Sequence, residues 1–154
     1  HHNDLSDLVL LGIHNRGVPI AGRLRDLIQD FTNIEIKLGS LDITFHRDDF
    51  RERLSMPEIK GTDIQFDLSD KVIILVDDVL YSGRTIRAAL DEINSFGRPS
   101  IIRLAVLVDR GHRELPIRAD FVGKNIPTHS GEHIAVHLLE SDGEDGVFIV
   151  NRDE

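Results

Sequence analysis

The chain has no cysteine in its 154 residues, so no disulfide framework holds it and a reducing compartment suits it. It lacks any apolar run of about 18 residues and any signal-peptide pattern. With 40% hydrophobic residues it reads as soluble, cytoplasmic and without a membrane partner, one domain with a core of its own. Positive charge is in deficit: a net charge of −9 argues against indiscriminate nucleic-acid binding by bulk charge, although a local basic face is still compatible with it. Internal repeats, low-complexity tracts and the GxxxxGK[ST] pattern of nucleoside-triphosphate P-loops are all missing.

What is present is organised around Val72 to Thr85, VIILVDDVLYSGRT. Val72 to Val76 is a short apolar run rich in β-branched residues, as a strand buried on both faces reads. Asp77 and Asp78 follow, then a loop with Ser82 and Gly83. A helical pattern starts at Arg84, with Ile86, Leu90 and Ile93 on one face, and stops at Gly97-Arg98-Pro99. Backbone N–H groups of such a loop and first turn, aided by the helix dipole and the hydroxyls of Ser82 and Thr85, suit a phosphate monoester. The adjacent carboxylates suit the two hydroxyls of a ribose, directly or through a Mg²⁺ shell. By itself an acidic pair with one glycine reads equally well as a capped turn and an ordinary helix start.

Two further apolar runs end in the same way. Leu8 to Ile13 leads into Gly12-Ile13-His14-Asn15-Arg16-Gly17 and then an amphipathic helix marked by Val18, Ala21, Leu24, Leu27 and Ile28. That loop offers backbone amides and Arg16 as a second anion site, though a glycine after a strand also simply lets a chain turn. Ile101 to Val108 ends in Asp109-Arg110-Gly111. Strands ending in polar, glycine-bearing loops place their carboxyl ends together in an open α/β sheet, where ligand crevices form. Ile34 to Lys37 and Leu41 to His46 read as two short strands separated by Gly39-Ser40. Phe50 to Ser69 reads as a long charged loop, a lid rooted at Arg47 or a solvated hairpin, two compatible readings since a hairpin can be the lid. Glu132 to Leu139 alternates like a strand, and Gly146 to Val150 like a short partner. His129, His133 and His137 lie too far apart along such a strand to share one ion and read as surface histidines.

The string VIILVDDVLYSGRT resembles the 5-phosphoribosyl-1-diphosphate (PRPP) signature of the type I phosphoribosyltransferases. DDVLYSGRT is similar to that of the PyrR proteins, bifunctional uracil phosphoribosyltransferases and attenuation regulators of pyrimidine operons. GIHNRGVPIAGRL matches the family's diphosphate loop, Leu41 to Asp49 the strand leading to its catalytic loop, and Leu104 to Thr128, with DRGHRELPIRAD, the PyrR proteins in particular. The resemblance implies a type I phosphoribosyltransferase fold: a central parallel sheet flanked by helices, with a small C-terminal β-rich hood over the base.

It also implies a reaction of uracil and PRPP to UMP and diphosphate, dependent on Mg²⁺. Asp77, Asp78 and Arg47 are then the catalytic residues. Both aspartates serve the ribose hydroxyls and favour the metal indirectly, with no direct protein ligand assigned. Asn15, Arg16 and Gly17 meet the diphosphate. Val79, Leu80, Tyr81, Ser82, Gly83, Arg84 and Thr85 cradle the 5-phosphate, and Asp109 and Arg110 lie by the base and product. Composition alone makes the basic residues after Arg103 a solvated surface. The resemblance instead makes Arg113, Arg118 and Lys124 an RNA face for the mRNA leader of pyrimidine genes, answering to UMP through segment 109–118. It implies self-association into a dimer or higher oligomer. Two other readings are a regulatory RNA-binding protein with vestigial catalysis and a purine phosphoribosyltransferase, against which DRGHRELPIRAD speaks. The family's N-terminal helix is expected to be missing, since the first strand begins almost at residue 8. Ser82 stands where threonine is usual, and His129-Ser130-Gly131 replaces a Ser/Lys-bearing segment.

Overall fold

The structure, a computed structural model, describes residues 5–44 and 61–151. Five parallel strands form the main sheet: β1 (Leu8–Ile13), β2 (Lys37–Leu41), β3 (Val72–Leu80), β4 (Ile101–Asp109) and β5 (Phe121–Asn125), in the order β2-β1-β3-β4-β5. Helix α1 (Gly17–Thr32) joins β1 to β2, and α2 (Arg84–Ile93) joins β3 to β4. Strand alternation divides the apolar residues between the two sheet faces. Val9, Leu11, Ile73, Leu75 and Leu104 pack with Ile86, Ala89 and Ile93 of α2. On the opposite face Ile20 and Leu24 of α1 lie beside Val76, Ala105 and Leu107. The chain leaves β1 toward one edge and β3 toward the other, so the sheet has a topological switch point between them. Crevices of open α/β sheets form outside the carboxyl ends at such points.

A separate antiparallel pair, β6 (Glu132–His137) and β7 (Gly146–Asn151), is linked by the one-turn helix α3 (Leu139–Asp142) and makes the hood. Among the described residues no helix is long and apolar enough to cross a membrane.

Three sequence expectations are corrected. The central strand does not end at Val76; it runs on through Asp77 and Asp78 to Leu80, because β4 pairs with it as far as Leu80 and Asp109. Ladder pairing here overrides the turn preference of aspartate. The expected pair of strands around Gly39-Ser40 is one strand, β2, with that dipeptide inside it. A Cβ on Gly39 would lie 2.8 Å from Leu11 Cδ2, so the glycine serves close strand packing instead of a turn. The far end of the expected lid is not a loop over the site: Leu68 is fully buried, Ile64 and Phe66 pack on the core, and Asp63 exchanges backbone hydrogen bonds with Ser40. Arg47 and residues 50–60 lie outside the described residues. The chain on either side of that segment meets at Asp42, whose carboxylate accepts from Thr44 N–H at 2.9 Å and Gly61 N–H at 2.8 Å.

Candidate active site

The loop after β1 and the acidic end of β3 are brought together by the absence of two side chains. A Cβ on Gly17 would sit 2.3 Å from the carbonyl oxygen of Val76 and 3.2 Å from Asp77 Cα. A Cβ on Gly12 would sit 2.6 Å from Gly17 O and from Val18 Cα. The first turn of α1 therefore lies directly on the backbone of β3, and Asn15 and Arg16 stand beside the acidic pair. No side chain caps α1 at Arg16 or α2 at Gly83. The start of α1 is thus open to an anion, while at α2 the Arg84 N–H is taken by Ser82 Oγ from the preceding loop.

The two aspartates differ. Asp77, in phase with Ile73 and Leu75, is 7% exposed, whereas Asp78 is half-buried. Burial first, and then the neighbouring Asp78 carboxylate, pushes the Asp77 carboxyl well above the usual range. The N–H groups of Asp78 and Val79 donate to Asp77 Oδ1 and Asp78 Oδ1, each at 2.8 Å. Of the pair, Asp78 is thus the carboxylate open to solvent, while Asp77 lies beneath it in the sheet. Among the described residues no group of three or more His, Cys, Asp or Glu side chains is placed to hold a metal. The pair fits Mg²⁺ held chiefly by a substrate's phosphates and water, as that ion is commonly bound.

Segment 110–117 straps the loop after β3. Arg110 N–H donates to Leu80 O at 3.1 Å, and the N–H groups of Glu114 and Leu115 both donate to Ser82 O, at 2.9 and 3.1 Å. Gly83, at φ 96°, would bring a Cβ to 3.3 Å from Ile117 Cβ, so a residue without one fits here on two counts. Ser82 Oγ accepts from Arg84 N–H at 3.2 Å, Arg84 Nε donates to Glu114 at 2.7 Å, and Thr85 is exposed at the helix start.

Arg113, expected on the RNA face, also holds this strap. It donates to Ile117 O, Tyr81 O and Asp109 Oδ2, each at 2.7 Å. Burial raises the Asp109 carboxyl, but Arg113 and the Gly111 N–H more than offset it, so Asp109 lies below the usual carboxylate range. Arg110 is 7% exposed, stacks over the Tyr81 ring at 4.1 Å, and ties the hood through Thr128 Oγ1 at 3.0 Å and Glu132 O at 2.7 Å. Arg118 and Lys124 are exposed.

Sequence reasoning missed the acidic clasp of the hood. Arg16 donates to Asp142 at 2.8 Å, and Arg23 forks onto Glu140 and Asp145. These partners hold the Glu140 and Asp145 carboxyls below their usual range. The signal was present: Arg16 and Arg23 are two turns apart on one helix face, and the tail Glu140 to Asp145 is acidic.

The family described as "Phosphoribosyl transferase domain" matches residues 1–141. The chain is 56% identical over 146 residues to the bifunctional protein PyrR of Chloroflexus aurantiacus, covering 95% of this chain and 80% of that protein. It is 56% identical over 145 residues to the protein of the same name from Clostridioides difficile, covering 94% and 82%. The hypoxanthine phosphoribosyltransferase of Trypanosoma cruzi superposes with a TM-score of 0.67 at 17% identity, covering 95% of this chain and 77% of that one. That last likeness shows the fold alone.

Proposed function

This chain belongs to the PyrR family of phosphoribosyltransferases, and on that footing we propose that it converts uracil and PRPP to UMP and diphosphate and, in a second role, binds the mRNA leader of pyrimidine genes in response to UMP. The observation that carries the catalytic role is the contact of Gly17 with Val76 and Asp77. It brings the uncapped start of α1 against the strand that carries the half-buried Asp78, at the switch point.

Displacement at ribose C1 through an oxocarbenium-like state asks the protein to position the ribose and neutralise a leaving diphosphate. Asp78 accepts from the ribose hydroxyls. The amides of Ser82 to Thr85 hold the 5-phosphate, and Asn15, Arg16 and Gly17 receive the diphosphate. Buried Nε of Arg16 has no hydrogen-bond partner among the described residues, which suits an incoming phosphate oxygen. Mg²⁺, when bound to PRPP, neutralises charge developing on the diphosphate. Arg47 belongs to this proposal through the family pattern. The purine reading is not favoured, since its structural relatives share fold at low identity while the PyrR proteins match at more than half the positions.

The test is UMP formation from labelled uracil and PRPP, with and without Mg²⁺ and with hypoxanthine as competitor. Metal-dependent UMP is expected; hypoxanthine as the preferred base would overturn the assignment. Asp78→Asn is expected to lower kcat by at least about a hundredfold, as loss of one preorganised electrostatic contact does, while leaving RNA affinity intact.

The regulatory role is supported by the strap. Segment 110–117 is hydrogen-bonded to the loop after β3 through Ser82 O and Tyr81 O and continues directly into Arg118, so in this proposal one segment links the nucleotide to the RNA face. In this proposal Arg118 and Lys124 meet RNA phosphates and bases, together with those of the five Arg113 N–H groups that the strap does not use. A self-associated protein would present two or more such faces to one leader. Arg118→Ala is expected to weaken leader RNA binding by roughly tenfold, a loss of one charge-assisted contact, without changing UMP formation; unchanged filter-binding affinity would remove Arg118 from the RNA face.

A further inference from the structure

The hood is fastened to the diphosphate loop by a carboxylate standing where an anion is expected. Arg16 Nη2 donates to Asp142 Oδ1 at 2.8 Å, and Asp142 Oδ2 accepts the Leu138 N–H at 2.8 Å, so α3 itself holds the carboxylate in place. Two turns along α1, Arg23 binds Glu140 at 2.9 and 2.5 Å and Asp145 at 3.2 and 2.8 Å. Between these contacts and the loop lies a cleft of about 400 Å³ lined by His14, Asn15, Arg16, Val18, Pro19 and Ser141.

Asp142 takes only one edge of the guanidinium. Nε of Arg16 is buried and has no partner among the described residues, although a guanidinium binds oxyanions best through two parallel N–H groups. A diphosphate oxygen pair entering the cleft satisfies Nε and Nη2 together, and it brings more negative charge than one carboxylate. Nη2 carries two N–H groups, but a carboxylate and a diphosphate oxygen held on the same nitrogen stand close together and repel, so the two anions compete for Arg16. Arg23, with its own pair of carboxylates, keeps the hood on α1 whichever ligand Arg16 holds.

We propose that Asp142 is a built-in competitor for the diphosphate loop: it holds Arg16 in the free protein and is displaced when a diphosphate group enters, loosening α3 while the Arg23 clasp stays closed. The proposal rests on reading the 14–16 loop as the diphosphate site. Exchange of one anion for another holds affinity for the diphosphate group down and returns the hood to its free position as the product leaves.

Asp142→Asn separates the two functions of this side chain, because the amide oxygen still accepts from Leu138 while the charge facing Arg16 is gone. Calorimetric titration of the full chain with inorganic diphosphate is expected to show binding tightened by roughly three- to fivefold, the size of a partly exposed ion pair. Glu140→Gln, which removes an equal charge from the Arg23 clasp, is expected to leave that affinity unchanged. In the wild-type protein, hydrogen exchange at amides 138–143 is expected to quicken on diphosphate binding, a readout that needs no variant. Unchanged affinity in Asp142→Asn, equal tightening in both variants, or slower or unaltered exchange overturns the latch while leaving the loop reading intact. Wild-type protein that binds no diphosphate, or whose binding is indifferent to Arg16→Gln, overturns the loop reading and the latch with it.

Discussion

Gly17→Ala is expected to cost about 3 kcal/mol or more of stability and to abolish phosphoribosyl transfer. The new methyl would lie 2.3 Å from a backbone carbonyl in the centre of the sheet, with Asp77 Cα at 3.2 Å. Neither atom is the end of a flexible side chain, so relief requires α1 to lift from β3 or β3 to move. Either shift separates Asn15 and Arg16 from Asp78. Gly22 lies one and a half turns further along the same helix with nothing within 4 Å of its Cβ position. Gly22→Ala is therefore expected to stabilise by about 0.5–1 kcal/mol through helix propensity alone. Urea unfolding of both variants checks the contrast. A Gly17→Ala protein with the wild-type midpoint and wild-type turnover would mean that α1 does not bear on β3 as described.

The second large effect concerns Asp77. Its folded-state pKa is raised by burial and by Asp78, so the fold binds the Asp77 proton more tightly than the unfolded chain does. Below the unfolded carboxyl pKa both states are protonated and nothing is lost. As pH rises from there toward the folded pKa, the unfolded chain gives up its proton first, and stability falls by about 1.4 kcal/mol per pH unit. Asparagine has the shape of the protonated acid and keeps the oxygen that accepts the Asp78 N–H. Asp77→Asn is expected to match the wild type near pH 4 and to exceed it by a widening margin above, up to the folded pKa of Asp77. Thermal unfolding across pH tests this. A margin that stays flat, or that shrinks with rising pH, would mean that Asp77 is charged at no cost inside the fold. The same variant keeps Asp78 in place, so a fall in turnover smaller than that of Asp78→Asn is expected.

Much of the architecture was legible in local sequence because the signals are local. Apolar runs at Leu8, Val72 and Ile101 are strands, since strands buried on both faces need continuous β-branched and aliphatic residues. Helix α2 begins at Arg84 as its periodicity predicts. Strand β5 was not legible: Phe121 to Asn125 is mostly exposed, contains Gly123 and lacks alternation, and it is held by pairing with β4. The extension of β3 through two aspartates is of the same kind, imposed by a neighbouring strand against the preference of the residues themselves.

The site divides along the same line. Local sequence carries its chemical parts: an acidic pair, two glycine-bearing loops ahead of helices, a basic segment and an acidic tail, each a matter of residue type and short spacing. It left Asp77 and Asp78 as equals, Arg113 as a surface cation and the acidic tail without a partner. Folding is what buries Asp77 and leaves Asp78 accessible, makes Arg113 a brace of the loop after β3, and ties the hood to Arg16 and Arg23. The physical reason is distance along the chain. Arg16 and Asp142 lie 126 residues apart, and Arg113 and Tyr81 lie 32 apart. Burial and ion pairing across such separations are set by how the sheet brings strand ends together, which no local pattern encodes.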